Sequence, residues 1–148
     1  GKINLTDLNW VDREYKASAA YNDSKLAGVL FSLELQRRLE AGGSPVRSIV
    51  AHPGIASTNL ARHAPSGKVT HALRFLFNDP ATGALAILYA ATMDVPGNSY
   101  VGPRGPGGMK GRPTLGKPSA AGRDTETAPR LWTATESLLA AFTPNGRP

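Results

Sequence analysis

The chain has 148 residues, the length of one ordinary domain, and 41% of them are hydrophobic, enough for a core. It has no cysteine, which excludes a disulfide framework and a thiolate metal site, and its three histidines, His52, His63 and His71, are too scattered to suggest zinc. The net charge is +6, but the excess lies mostly in residues 101–148, among glycines and prolines with no interleaved aromatics for base stacking, so no nucleic-acid partner is expected.

No apolar run approaches the roughly 18 residues of a membrane span. The opening Gly1-Lys2-Ile3-Asn4 is not a signal peptide. It also lacks an initiator methionine, so a cut or processed piece of a cytoplasmic protein is the expectation.

In chain order, residues 1–20 read as irregular, with a short strand or turn around Ile3–Leu5. A helix is predicted from about Tyr21 to Glu40. Leu26, Val29, Leu30 and Leu33 form one apolar stripe, and Ala20, Ala27, Phe31 and Leu35 a second. Two apolar faces predict burial on two sides, within the domain or against a second copy of the chain. Arg37 and Arg38 suit the helix C-terminus, and Gly42-Gly43-Ser44-Pro45 ends it. Val46–Ala51 reads as a buried strand broken by His52-Pro53-Gly54.

Residues 55–70 read as a loop and 71–78 as a short apolar helical stretch. Asp79-Pro80 makes a helix start, and that helix runs to about Met93, with Ala81, Leu85 and Leu88 on one face. Ser99–Val101 is a brief strand. Residues 102–122 hold seven glycines and four prolines and read as a loop. Their spacing is not that of a dinucleotide-binding turn. A last amphipathic helix covers about Ala128–Ala141, with Leu131, Trp132, Leu138 and Leu139 as its apolar members and Trp132 as a core anchor. The alternation of helix and strand is that of a parallel α/β fold, although two short strands are too few for a doubly wound sheet.

Tyr21 and Lys25, in Tyr21-Asn22-Asp23-Ser24-Lys25, stand four residues apart at the head of the first helix, on one face. A free phenol has a pKa of about 10 and transfers protons poorly at neutral pH. A neighbouring ammonium favours the phenolate and makes such a group a usable acid or base. Tyr-x-x-x-Lys alone is a common pattern, and Pro-Gly alone is an ordinary turn. The spacing of the two, with a strand delivering Pro53-Gly54 about thirty residues on and Thr58 four residues later, is more specific. The carboxyl end of a strand is where open α/β sheets bind ligands, and glycine admits a close approach.

Together these residues resemble the short-chain dehydrogenase/reductase family, in its retinol-dehydrogenase-like group. The resemblance runs from Asp7-Leu8-Asn9-Trp10 through Tyr21–Ala27 and Leu33–Leu39. It continues through Val46-Arg47, His52-Pro53-Gly54 and Thr58-Asn59-Leu60 to Arg130-Leu131-Trp132. It implies that Tyr21 is the general acid in carbonyl reduction and the base in alcohol oxidation. Lys25 would hold the nicotinamide ribose and favour the phenolate. Pro53, Gly54 and Ile55 would line the nicotinamide with backbone groups facing its carboxamide, and Thr58 would place its hydroxyl near the carboxamide or the phosphates. The implied cofactor is NAD or NADP, and the substrate a small-molecule alcohol or carbonyl compound. The loop 55–68 would cover that substrate, with Leu60 and Ala61 suiting an apolar one.

The family's glycine-rich turn, cofactor-selecting residue, Asn-Asn-Ala-Gly segment and catalytic serine have no counterpart here, and Ser18 is too near Tyr21 for the serine's role. The expected architecture is therefore the C-terminal half of a single Rossmann-type doubly wound domain spanning 1–148, with 102–127 as a Gly/Pro-rich loop before the final helix. Such a half is expected to be inactive alone. The alternative is a non-catalytic remnant or interaction module; in either case the 21–40 helix offers a face for a homo-oligomer.

Overall fold

A computed structural model of the chain describes residues 1–54 and 78–142, the side chain of Phe142 excepted. The chain divides into two compact units, one of Gly1–Ser48 with Pro118–Pro148, the other of Ile49–Lys117. Sequence predictions for 55–77, including Ile55, Thr58, His63, His71 and the covering loop, lie outside the described residues.

The first unit is built on two helices, α1 (Ala17–Ala41) and, at the far end of the chain, α3 (Thr127–Phe142). Leu30, Ala128 and Leu131 form its buried centre, with Ile3, Leu5, Leu8, Leu26, Ala27 and Leu33 packed around them. Helix α1 begins four residues before the predicted start and ends as predicted. The Gly42 N–H donates to the Arg38 carbonyl at 3.0 Å, and Gly43 turns out of the helix with φ of 64°.

The predicted first apolar stripe packs, and Ala27 of the second joins it, but Phe31 of the second does not. Phe31 is 49% exposed, and the other buried positions of α1 are the polar Ser32, Glu34 and Gln36. Each is buried because its polar atoms are met. Ser32 and Ser48 share a hydroxyl hydrogen bond of 2.7 Å, and Gln36 Oε1 accepts from the Ser48 N–H at 2.7 Å. Glu34 takes a two-pronged bond from Arg37 and another from Arg38, all at 2.7 Å. The Arg37 guanidinium leads in holding the Glu34 pKa down to about 2.

The predicted strand 46–51 shrinks to Val50–Ala51 for the same reason. Ser48 has spent its N–H on Gln36 rather than on a ladder, and Val46 is exposed. Trp132 is half-buried rather than a core anchor. It is stacked on Phe31 at 5.0 Å with the Arg38 guanidinium 4.5 Å from its ring. Leu139, expected on the apolar face of α3, is 61% exposed.

The second unit carries the sheet. Strand β1 (Val50–Ala51) runs parallel to β2 (Tyr100–Pro103), with Val50 opposite Tyr100, and α2 (Pro80–Thr92) lies between them in sequence. This β–α–β arrangement is the parallel part of a doubly wound α/β fold. Asp79 caps α2 through the Thr82 N–H at 3.0 Å, and the Thr82 hydroxyl also bonds its carboxylate and leads in lowering its pKa.

A third strand, β3 (Pro113–Gly116), pairs antiparallel with β2 in the order β1-β2-β3. It falls inside the segment predicted to be a loop. Its Pro and Gly read as breakers, yet a proline at the first residue of an edge strand costs no ladder bond. The face of α2 also differs from expectation. Gly83 and Ala86 are buried, while Leu85, Ile87 and Leu88 are 41–56% exposed. Small side chains bring this helix close to the sheet, and the larger ones point away.

Candidate active site

Tyr21 and Lys25 sit in the first unit, on the second and third turns of α1. Their spacing places them as predicted. The Lys25 ammonium stands 5.2 Å from the centre of the Tyr21 ring, and both side chains are exposed, Tyr21 by 51%. The Ser24 hydroxyl between them is turned away, donating to the Tyr21 backbone carbonyl at 2.7 Å.

The head of α1 is pinned by the irregular lead-in. The Lys2 N–H donates to Asp23 at 2.7 Å, and Arg13 pairs with Asp7 at 3.3 Å and Asp23 at 3.8 Å while lying 3.5 Å from the Trp10 ring centre. A groove of about 490 Å³ opens beside these residues, lined on α1 by Ala20, Asp23, Ser24 and Ala27. Tyr21 and Lys25 are not among its lining residues. At 3.6 residues per turn they lie roughly 120° around the helix from it.

Pro53 and Gly54 belong to the second unit, just past β1. The backbone of Gly54 has φ of 73°, and a Cβ there would lie 2.4 Å from the Met109 carbonyl oxygen and 2.7 Å from Pro103 Cγ. Glycine is required at this point by the chain's own packing, a different reason from the approach of a flat ring that the sequence suggested. Two backbone groups of the turn have partners within the chain. The Pro53 carbonyl accepts from Asn78 Nδ2 at 3.0 Å, and the Gly54 N–H donates to His52 Nδ1 at 3.3 Å.

Two further residues shape this turn and were not singled out from the sequence. His52 packs its ring against Tyr100, 4.9 Å between ring centres, and fills the space a side chain at Gly102 would need. Burial pushes its pKa down, favouring the neutral ring whose Nδ1 accepts from Gly54. Burial likewise raises the pKa of Tyr100. Asn78, read as the end of a helical stretch, is instead a non-helical residue with 1% exposure whose amide oxygen also accepts from the Gly111 N–H at 3.0 Å. The contiguous His-Pro-Gly was the available signal for His52. For Asn78 there was none, because its partners lie 25 and 33 residues away.

Among the described residues no cluster of side chains is suited to a metal ion, and no helix is long and apolar enough to cross a membrane.

The described residues hold a parallel β–α–β unit, the mark of an α/β fold, and known proteins narrow it further. No protein-family profile matches the chain. Human retinol dehydrogenase 13 is 34% identical over 158 residues, covering 99% of this chain and 44% of its own length. A short chain dehydrogenase/reductase of Macrophomina phaseolina is 35% identical, covering 90% of this chain and 65% of its own length. The crystal structure of an uncharacterised protein from Mycobacterium paratuberculosis superposes with a TM-score of 0.74 at 43% identity, over 94% of this chain and 45% of that one. The chain thus spans less than half the length of the first and last of these. It belongs to the short-chain dehydrogenase/reductase family, among relatives named retinol dehydrogenases, and corresponds to the C-terminal half of the family's domain.

Proposed function

We propose that this sequence supplies the proton-transfer residues and part of the cofactor wall of an oxidoreductase that moves a hydride between NAD or NADP and an alcohol or carbonyl compound. The observation that carries the reading is the Tyr21–Lys25 pair, exposed side by side on α1 in a chain whose relatives are named dehydrogenases. NAD(P), when bound, supplies or accepts the hydride.

Tyr21 gives its phenolic proton to the carbonyl oxygen in reduction and takes the hydroxyl proton in oxidation. Lys25 hydrogen-bonds the nicotinamide ribose, a task that suits a flexible ammonium on an open helical face. Pro53 and Gly54 serve as an apolar, rigid wall for the nicotinamide. Ile55 lines the nicotinamide with them, and Thr58 places its hydroxyl near the carboxamide or the phosphates. An alcohol of the kind named in the relatives, retinol, is the favoured substrate class.

In catalytically active protein containing this sequence, Tyr21→Phe should lower turnover by roughly 10²–10⁴-fold with cofactor affinity little changed. Turnover that survives the change would remove Tyr21 from the chemistry.

A second reading, an interaction module, has its own observation in the exposed Leu85, Ile87 and Leu88 of α2 and Phe31 of α1. It predicts oligomers on size-exclusion chromatography and no cofactor affinity. A monomer that binds NAD(P) would contradict it.

A further inference from the structure

The Asn78 amide is buried, and burial of an amide is tolerated only where its donors and acceptor are met. Nδ2 donates to the Pro53 carbonyl at 3.0 Å and Oδ1 accepts from the Gly111 N–H at 3.0 Å. Gly111 has φ of 117°, a backbone region open to glycine and strained for other residues. One side chain therefore joins the turn that ends β1 to a glycine-built point of the β2–β3 connection.

The same turn is braced from other directions. Its Gly54 Cα lies too close to the Met109 carbonyl and Pro103 for a Cβ to fit, and the half-buried His52 ring accepts from its N–H. Pro53 has no N–H to anchor it. Its carbonyl is thus its backbone hydrogen-bonding handle, and Asn78 holds it. The plane of the Pro53–Gly54 peptide is set by that bond, because a carbonyl fixed from one side cannot rotate without breaking it.

We propose that Asn78 is a positioning residue for the cofactor. By holding the Pro53 carbonyl against Gly111, it fixes the tilt of the Pro53-Gly54 wall, and so acts on the nicotinamide end of NAD(P) and not on the adenosine end. The inference rests on the hydride-transfer reading above. Asn78 touches neither cofactor nor substrate in this account; it works through Pro53.

The side-chain chemistry supplies a selective variant. Asn78→Asp is nearly isosteric and keeps an oxygen for the Gly111 N–H, but sets an oxygen in place of the donor facing the Pro53 carbonyl. Asn78→Ser removes the reach to both partners and serves if the carboxylate variant does not fold.

In catalytically active protein containing this sequence, affinities for NADH and NADPH are compared with those for ADP-ribose and its 2′-phosphate, which lack the nicotinamide. The expected result is a loss of roughly tenfold for the intact dinucleotide, with ADP-ribose held within about twofold. Equal losses for both ligands, or none for either, in a folded variant would overturn the proposal and leave Asn78 a purely structural residue. Failure of both variants to fold would overturn it in the same way. If the unmodified protein binds neither NADH nor NADPH, the hydride-transfer reading falls, and this inference with it.

Discussion

Tyr21 is 51% exposed and meets Lys25 across one helical turn, whereas Pro53 and Gly54 are held through Asn78, His52, Pro103 and the Met109 backbone. The first pair takes its geometry from helix periodicity alone, which a sequence carries openly. The second takes its geometry from partners spread over some sixty residues. In the proposed reading the exposed pair handles the proton, and the locked turn is the wall that holds the cofactor ring in place.

That contrast can be broken most sharply at Lys25. Lys25→Met in active protein should cost roughly 10²-fold or more in turnover while leaving unfolding free energy within about 0.5 kcal/mol of the parent, as for exposed sites generally. A large loss of stability in urea denaturation would show that the exposed face of α1 is structural after all. Gly54→Ala reverses the pattern. A left-handed backbone costs a non-glycine residue about 1–2 kcal/mol, and overlap with the Met109 carbonyl adds to it, so a total of about 2–4 kcal/mol is expected from denaturant titration. An unchanged midpoint would mean the turn is not locked.

Acid should separate the two units next. Glu34 in the first unit has its pKa lowered from 4.5 to about 2. Its contribution is therefore present above about pH 4.5 and lost as pH falls toward 2. Both of its arginine partners face solvent, so the contribution is on the order of 1 kcal/mol. His52 in the second unit has a pKa lowered from 6.5 by burial. The unfolded state binds the proton more readily, so stability is present above about pH 6.5 and falls on acidification below it. Hydrogen exchange against pH should show the second unit softening before the first, and Glu34→Gln and His52→Gln should each abolish the corresponding step. A single transition shared by both units would blur the distinction.

The smallest effect belongs to Asp79. Asp79→Ala removes the cap on the Thr82 N–H and should lower the melting temperature less than Gly54→Ala does. An equal or larger drop would shift the weight of the second unit from the turn to α2.

Most of the fold was legible where local rules suffice. The start of α2 follows from Asp79-Pro80, and the end of α1 from Gly42-Gly43. The polar burial in α1 was not legible, because nothing local in the sequence places Ser48 and the two arginines around Ser32, Glu34 and Gln36. Strand β3 escaped because Pro113 and Gly116 signal a loop in isolation and an edge strand only beside β2. For the site, helical spacing gave Tyr21 with Lys25, and the tripeptide gave Pro53 with Gly54. The reason for the glycine, and the part played by Asn78, depend on contacts far apart in sequence.

The central claim is hydride transfer with Tyr21 carrying the proton. Its most direct measurement incubates active protein containing this sequence with NAD or NADP and a primary alcohol deuterated at the carbinol carbon, and follows deuterium into the reduced cofactor. The account predicts deuterium at the nicotinamide ring with the parent protein and a loss of roughly 10²-fold or more in its rate with Tyr21→Phe. Absence of deuterium transfer by protein that still turns over the alcohol, or an unchanged rate with phenylalanine at this position, would contradict it.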